Sequence, residues 1–162
     1  MASLVECVPN FSEGRRPEVV DAIVAAVEAA GGVEVLDHTL DATHNRSVVT
    51  FAGIAKDVTA AAEAAAATAI DLIDMRTHAG AHPRIGAVDV VPFVPLDVTP
   101  MSEAVDLARA FAQRIAERFA LPAYLYGEAA LRPTGRSLAD VRRGGYEVLR
   151  AEIGSDPSRA PD

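Results

Sequence analysis

The chain has 162 residues and a mass of 17.0 kDa, the size of one ordinary domain. Half of its residues are hydrophobic and 23% are charged, a balance that fits neither a disordered chain nor a membrane protein built of long apolar spans. The formal net charge of −8 argues against general nucleic-acid binding, because phosphate contacts need a cationic surface. No cationic stretch precedes an apolar one at the amino terminus, so a cytoplasmic protein without a signal peptide is expected. The single cysteine, Cys7, leaves no internal disulfide and no multi-cysteine metal site. Lys56 is the only lysine, and every other basic residue is arginine, whose planar fork matches carboxylates. Tryptophan is absent and aromatics are 5%, too few for a platform that stacks bases.

In chain order, residues 4–8 are an apolar run around Glu6 that stops at the turn chemistry of Pro9, Asn10, Ser12 and Gly14, which predicts a strand. Val20, Ile23, Val24 and Val27 recur at helical spacing after Pro17, and Gly31-Gly32 ends that helix. Residues 33–36 and 47–51 read as strands, joined by a polar connection over 37–45 that looks too long for a tight hairpin. An alanine-rich helix over 55–73 combines high propensity with thin side chains for close packing on a sheet. Residues 76–86 have no period and form a loop. Residues 88–94 read as a strand with Asp89 inside it, placed at an edge or bulge by Pro92 and Pro95. Thr99 is the expected cap, and Pro100 the first residue, of a helix whose inner face carries Ala104, Ala108, Phe111, Ile115 and Phe119. A short strand over 123–126 and a last helix over 137–153, weakened by Gly144 and Gly145, complete the pattern before a polar end at 154–162.

This order predicts an α+β fold with a mixed sheet and helices mainly on one face, resembling a ferredoxin-like core. The other face then needs cover from solvent, a second domain or another copy of the chain.

Chemistry concentrates in three polar segments. The loop holds His78, Gly80, His82, Pro83 and Arg84, and an imidazole that titrates near neutrality on a shaped loop suits a general acid or base. His78 and His82 have the spacing of metal ligands on a helix, but Gly80 and Pro83 oppose a helix there, so no metal is expected. Asp41, Thr43, His44, Asn45 and Arg46 form a polar cluster that also reads as an Asx turn before a strand. Asn10, Ser12, Glu13 and Gly14 follow the first strand, where a turn is the plain reading. Cys7 reads as a small buried hydrophobe, and Ser12 lacks the glycine-flanked elbow of a hydrolase nucleophile.

Taken together, Val5-Glu6-Cys7-Val8-Pro9-Asn10-Phe11-Ser12-Glu13-Gly14, His44-Asn45-Arg46-Ser47-Val48, Ile73-Asp74-Met75 and the run from His82-Pro83-Arg84 to Asp89-Val90 closely resemble the formiminotransferase family. Pro92-Phe93-Val94-Pro95 and Tyr124-Leu125-Tyr126-Gly127-Glu128-Ala129-Ala130 extend the likeness, which lies with the family's amino-terminal subdomain. The resemblance implies transfer of a formimidoyl group from N-formimidoyl-L-glutamate to N5 of tetrahydrofolate, a co-substrate, in histidine catabolism, with no metal. It places the catalytic general acid and base on His82. Arg46 and Arg84 are then candidates to hold carboxylates, Asn10 and Asp41 to orient the amidine, and His44, Asn45, His78, Tyr126 and Gly127 to line the substrate and folate site.

One departure is local: Ala81 stands where many members of the family carry an acidic residue. The other concerns extent. The family's transferase unit pairs two similar subdomains with folate between them, so residues 1–153 are expected to be the amino-terminal subdomain and 154–162 a tail or linker toward an absent carboxyl-terminal one. Expected partners are that subdomain or a second copy in a homodimer, with no nucleic acid and no membrane. Two other functions compete: a folate-binding half-enzyme without turnover of its own, and a pterin-independent enzyme acting on another amidine or formyl group.

Overall fold

A computed structural model describes residues 2–162. The first strand comes in two pieces, β1 (Leu4–Cys7) and β2 (Asn10–Phe11), parted where Pro9 has no N–H for the ladder. The carbonyl of Pro9 still accepts from the Val49 N–H at 3.1 Å, so the two pieces run on along one neighbour. After α1 (Pro17–Ala30), β3 (Val33–Asp41) and β4 (Arg46–Ile54) form a hairpin, followed by α2 (Ala55–Leu72). β5 (Val88–Val90) and β6 (Phe93–Pro95) are again one strand in two pieces, broken beside Pro92, and α3 (Met101–Phe119) follows. β4 lies between β3 and the β1–β2 strand, and β1 and β2 pair in turn with β6 and β5. The strand order and the two crossover helices are those of a ferredoxin-like fold.

Alternation along β4 sends Ser47, Val49 and Phe51 to the helix side, where they meet Val5 and Cys7 of β1. Ile23 and Val27 of α1 and the alanine face of α2 cover them, and burying Phe51 alone contributes about 1.5–3 kcal/mol. The other face carries Glu6, Val48, Thr50 and Ala52, all partly exposed.

The α+β class stands, with five corrections. Every pairing is antiparallel, so the sheet is not mixed. The polar connection is mostly strand: β3 runs to Asp41, opposite Arg46, and only residues 42–45 turn. The helix expected over 137–153 is two, α4 (Leu138–Val141) and α5 (Gly145–Glu152), because Gly144 takes a φ of +81° that no helix allows. Thr99 does not cap α3. Its Oγ1 accepts from the Leu4 N–H at 3.0 Å, and Pro100 occupies the capping position.

The fifth correction is that residues 123–126 form no strand. The extended backbone there is held by the end of the chain: Leu125 N donates to Asp162 Oδ2 at 2.8 Å, and Asp162 N to the Ala123 carbonyl at 3.0 Å. Tyr124 Oη donates to the Arg159 carbonyl at 2.8 Å. Alternating apolar residues signal an extended backbone without specifying what pairs with it. Residues 154–162, which composition marks as polar and loose, thus pack back on the domain, with Arg159 buried.

Candidate functional site

Three segments far apart in sequence converge where the β3–β4 hairpin turns. A side chain at Gly14 would collide with the backbone of Asp41 and Arg46, and one at Gly80 with the His44 carbonyl. Glycine is therefore the residue that lets the post-β2 turn and the 76–86 loop close on the hairpin from two sides. Asn45 ties all three. It is 8% exposed and takes a φ of +50°, a conformation asparagine tolerates better than most residues. Its Oδ1 accepts from Gly14 N at 2.9 Å, its Nδ2 donates to the Ala79 carbonyl at 3.0 Å, and its own carbonyl accepts from His78 Nε2 at 3.0 Å.

That last bond fixes the His78 tautomer, and His78 Nδ1 then accepts from Arg84 Nε at 3.0 Å. Arg84 also forks onto Glu147 of α5 with bonds of 2.7 and 2.9 Å, which holds the Glu147 carboxyl below its ordinary range. Arg84 and His78 are thus bound into the loop's framework. A second clasp lies under the loop: Asp89 Oδ1 accepts from Ile85 N at 2.8 Å, while its other oxygen pairs with Arg142, the residue after α4. Ser12 donates from Oγ to the Gly86 carbonyl at 2.7 Å, and the Glu13 carboxylate accepts from Arg15 N, Arg16 N and the Arg16 side chain. Burial opposes the charge on Glu13, but these donors together hold its pKa below the ordinary value.

His82 stands at the mouth of this frame. Its Nε2 faces Arg46 Nη1 at 2.5 Å and its Nδ1 faces the Pro83 carbonyl at 2.5 Å. A guanidinium only donates and a carbonyl only accepts, so the proton sits on Nδ1 and the Nε2 lone pair is the basic atom. Burial pushes the imidazole below its ordinary pKa, against the Pro83 carbonyl, and the charges of Arg46 and Arg142 push the same way. The ring is kept neutral, the state a general base needs. Its neighbour is His44, ring centroids 6.0 Å apart and nearly perpendicular, whose Nδ1 meets Asp41 Oδ2 at 2.6 Å. The Asp41 carboxyl is held below its ordinary range, first by the His44 N–H and then by the His44 ring.

Arg46 has no carboxylate partner among the described residues, unlike Arg84 and Arg142, so its free donors are the ones available to an anionic substrate. The hairpin and loop therefore gather Asp41, His44, Asn45, Arg46, His78, His82 and Arg84. Asn10 lies on β2, its Nδ2 donating to the Val8 carbonyl at 3.0 Å. Tyr126 and Gly127 line a separate cavity of about 960 Å³ between α3, the end of α2 and α5. That cavity is mostly apolar and no histidine lines it. Tyr126 approaches the Asp89–Arg142 pair, and burial raises its phenol pKa. Sequence reasoning missed Arg142 and treated Asp89 as a strand residue. A charge inside Val88-Asp89-Val90 was a usable signal, whereas nothing in the sequence points from Asp89 to a partner so far along the chain.

Among the described residues, no group of three or more histidine, cysteine, aspartate or glutamate side chains is placed to hold a metal ion. No described helix is long and apolar enough to cross a membrane.

The sequence matches the formiminotransferase domain, N-terminal subdomain, over residues 4–162. It is 50% identical to formimidoyltransferase-cyclodeaminase of Rattus norvegicus, covering 94% of this chain and 28% of that protein. It is 44% identical to glutamate formimidoyltransferase of Streptococcus pyogenes serotype M1 over 100% of this chain and 54% of that protein. With glutamate formimidoyltransferase of Thermoplasma acidophilum it shares 47% identity over 93% of this chain and 50% of that protein. The chain spans about half the length of these microbial relatives and less than a third of the rat protein. It belongs to the formiminotransferase family, as the N-terminal subdomain of the formiminotransferase domain.

Proposed function

We propose that this subdomain supplies the catalytic histidine of a glutamate formimidoyltransferase-like unit, moving a formimidoyl group from N-formimidoyl-L-glutamate to tetrahydrofolate. The observation that carries the reading is the neutral His82, with its basic Nε2 turned toward an arginine that has no carboxylate of its own. The donor set fits the substrates. Arg46 offers unpaired guanidinium donors to a carboxylate of glutamate or folate, and the Asp41 carboxylate beside it suits an amidinium. When bound, tetrahydrofolate provides the attacking nitrogen, N5. His82 takes the proton that nitrogen loses, once Arg46 turns from Nε2 to the substrate carboxylate. Asn45 and the two glycine contacts keep the hairpin and loop rigid, so the imidazole needs no ordering when substrate arrives.

The partly exposed sheet face is the surface on which a carboxyl-terminal subdomain, or a second copy, would complete the folate groove. A second reading is a folate-binding half without turnover of its own. Turnover decides between the two. The protein is assayed alone and with the carboxyl-terminal subdomain, following glutamate release and the folate product. Turnover that disappears in His82→Ala supports the transferase. Folate binding without turnover in either setting supports the half-enzyme.

A further inference from the structure

The reaction moves two protons, and His82 has a single nitrogen, Nε2, to offer once Arg46 turns away. Nδ1 is spent on the Pro83 carbonyl and Nε2 faces Arg46. His44 is built differently. Asp41 Oδ1 accepts from both Thr43 N and His44 N at 2.9 Å, which locks the carboxylate, and Oδ2 meets His44 Nδ1 at 2.6 Å. The Nε2 of His44 has no hydrogen-bond partner among the described residues, its side chain is 46% exposed, and its ring stands 6.0 Å from that of His82. A carboxylate that fixes one nitrogen of an imidazole and leaves the other free is the usual way a histidine is held for proton transfer.

We propose that His44 is a second catalytic residue of this site, its Nε2 delivering a proton to the departing glutamate nitrogen while His82 Nε2 accepts the proton lost by the attacking amine. The inference rests on the transferase reading above. One carbon–nitrogen bond forms to the acceptor amine and one to glutamate breaks. The amine gives up one proton to neutral His82 and the glutamate nitrogen gains one from His44, which enters the step as the imidazolium, so His82 ends as the imidazolium and His44 neutral, and proton exchange with water resets both. No oxidant, reductant or metal is needed. The groups facing the two rings are Asp41 in the hairpin, Arg46 on β4, Asp89 on β5 and Arg142 after α4. Arg46 and Arg142 favour a neutral His82, while the only charged group bonded to the His44 ring among the described residues is the Asp41 carboxylate, 2.6 Å from Nδ1. The division of labour follows from that asymmetry.

The test is turnover of N-formimidoyl-L-glutamate with tetrahydrofolate by the protein together with its carboxyl-terminal subdomain. His44→Gln is expected to lower kcat about 100-fold with little change in KM, and to remove the high-pH limb of the kcat profile. Free imidazole is expected to restore part of the rate to His44→Ala, and Asp41→Asn to lower kcat in the same direction. Wild-type kcat and pH profile in His44→Gln would overturn the proposal, as would a slow His44→Ala that imidazole leaves unchanged. The transferase reading fails separately, by absence of turnover in the wild-type assembly, and this inference then falls with it.

Discussion

The first 119 residues and the remaining 43 are held together in different ways. In the first part, periodic apolar faces close on one another: Val49 and Phe51 of β4, Val5 and Cys7 of β1 and the alanines of α2 are all buried. In the second, α4 buries no residue and α5 buries only Leu149. Individual polar bonds take over, with Arg142 on Asp89, Arg84 on Glu147, Arg132 on Asp162 and the Leu125 backbone on Asp162. Non-directional burial tolerates local change, whereas a structure held by single polar contacts depends on each of them. The site sits at the joint, its histidines on the turn and loop of the first part and two of its clasps, Arg142 on Asp89 and Arg84 on Glu147, reaching across.

Substitutions in the two regions are expected to differ in kind and in size. The largest effect is expected on chemistry: His82→Ala should lower turnover by about 10²- to 10⁴-fold while far-ultraviolet circular dichroism stays unchanged, because the ring is partly exposed and packs no core. Next comes Arg142→Ala, which leaves the buried Asp89 carboxylate without its cation and should cost about 3–5 kcal/mol in urea unfolding. A loss below about 1 kcal/mol there would show that the second region does not hang on its charge pairs. Gly80→Ala forces a methyl group against the His44 carbonyl and should cost about 1–3 kcal/mol, with weaker activity as the loop backs away from the hairpin. The smallest effect is expected from Glu147→Gln. Its carboxylate is 64% exposed, so thermal unfolding should show a loss under about 1 kcal/mol that shrinks as salt is added.

The same contrast explains what was legible in the sequence. Helices α1, α2 and α3 announce themselves through apolar spacing, and the hidden half of each strand is fixed by period. The strand expected over 123–126 fails because non-local bonds from Asp162 decide that segment, and the single helix over 137–153 because Gly144 turns to a φ of +81°. In the site, His82, His44, Asn45 and Arg46 stand out as polar residues in patterned loops. Their partners do not, since the Gly14 contact with Asp41 and the Arg142 pairing with Asp89 exist only after the chain has folded. The hairpin was hidden for a related reason: Asp37, His38 and Thr39 are polar, but they pair with Thr50, Val49 and Val48 as an ordinary edge strand.

The folded hairpin and loop hold His82 neutral, protonated on Nδ1, with Nε2 as the basic atom. Nitrogen-15 NMR of the four histidines across a pH titration tests it without any need for turnover. The Nδ1–H tautomer is expected at neutral pH, with protonation of His82 below the ordinary histidine value of about 6.5 and an upward shift in Arg46→Gln. An Nε2–H tautomer, or protonation of His82 at or above that value in the wild type, would contradict it.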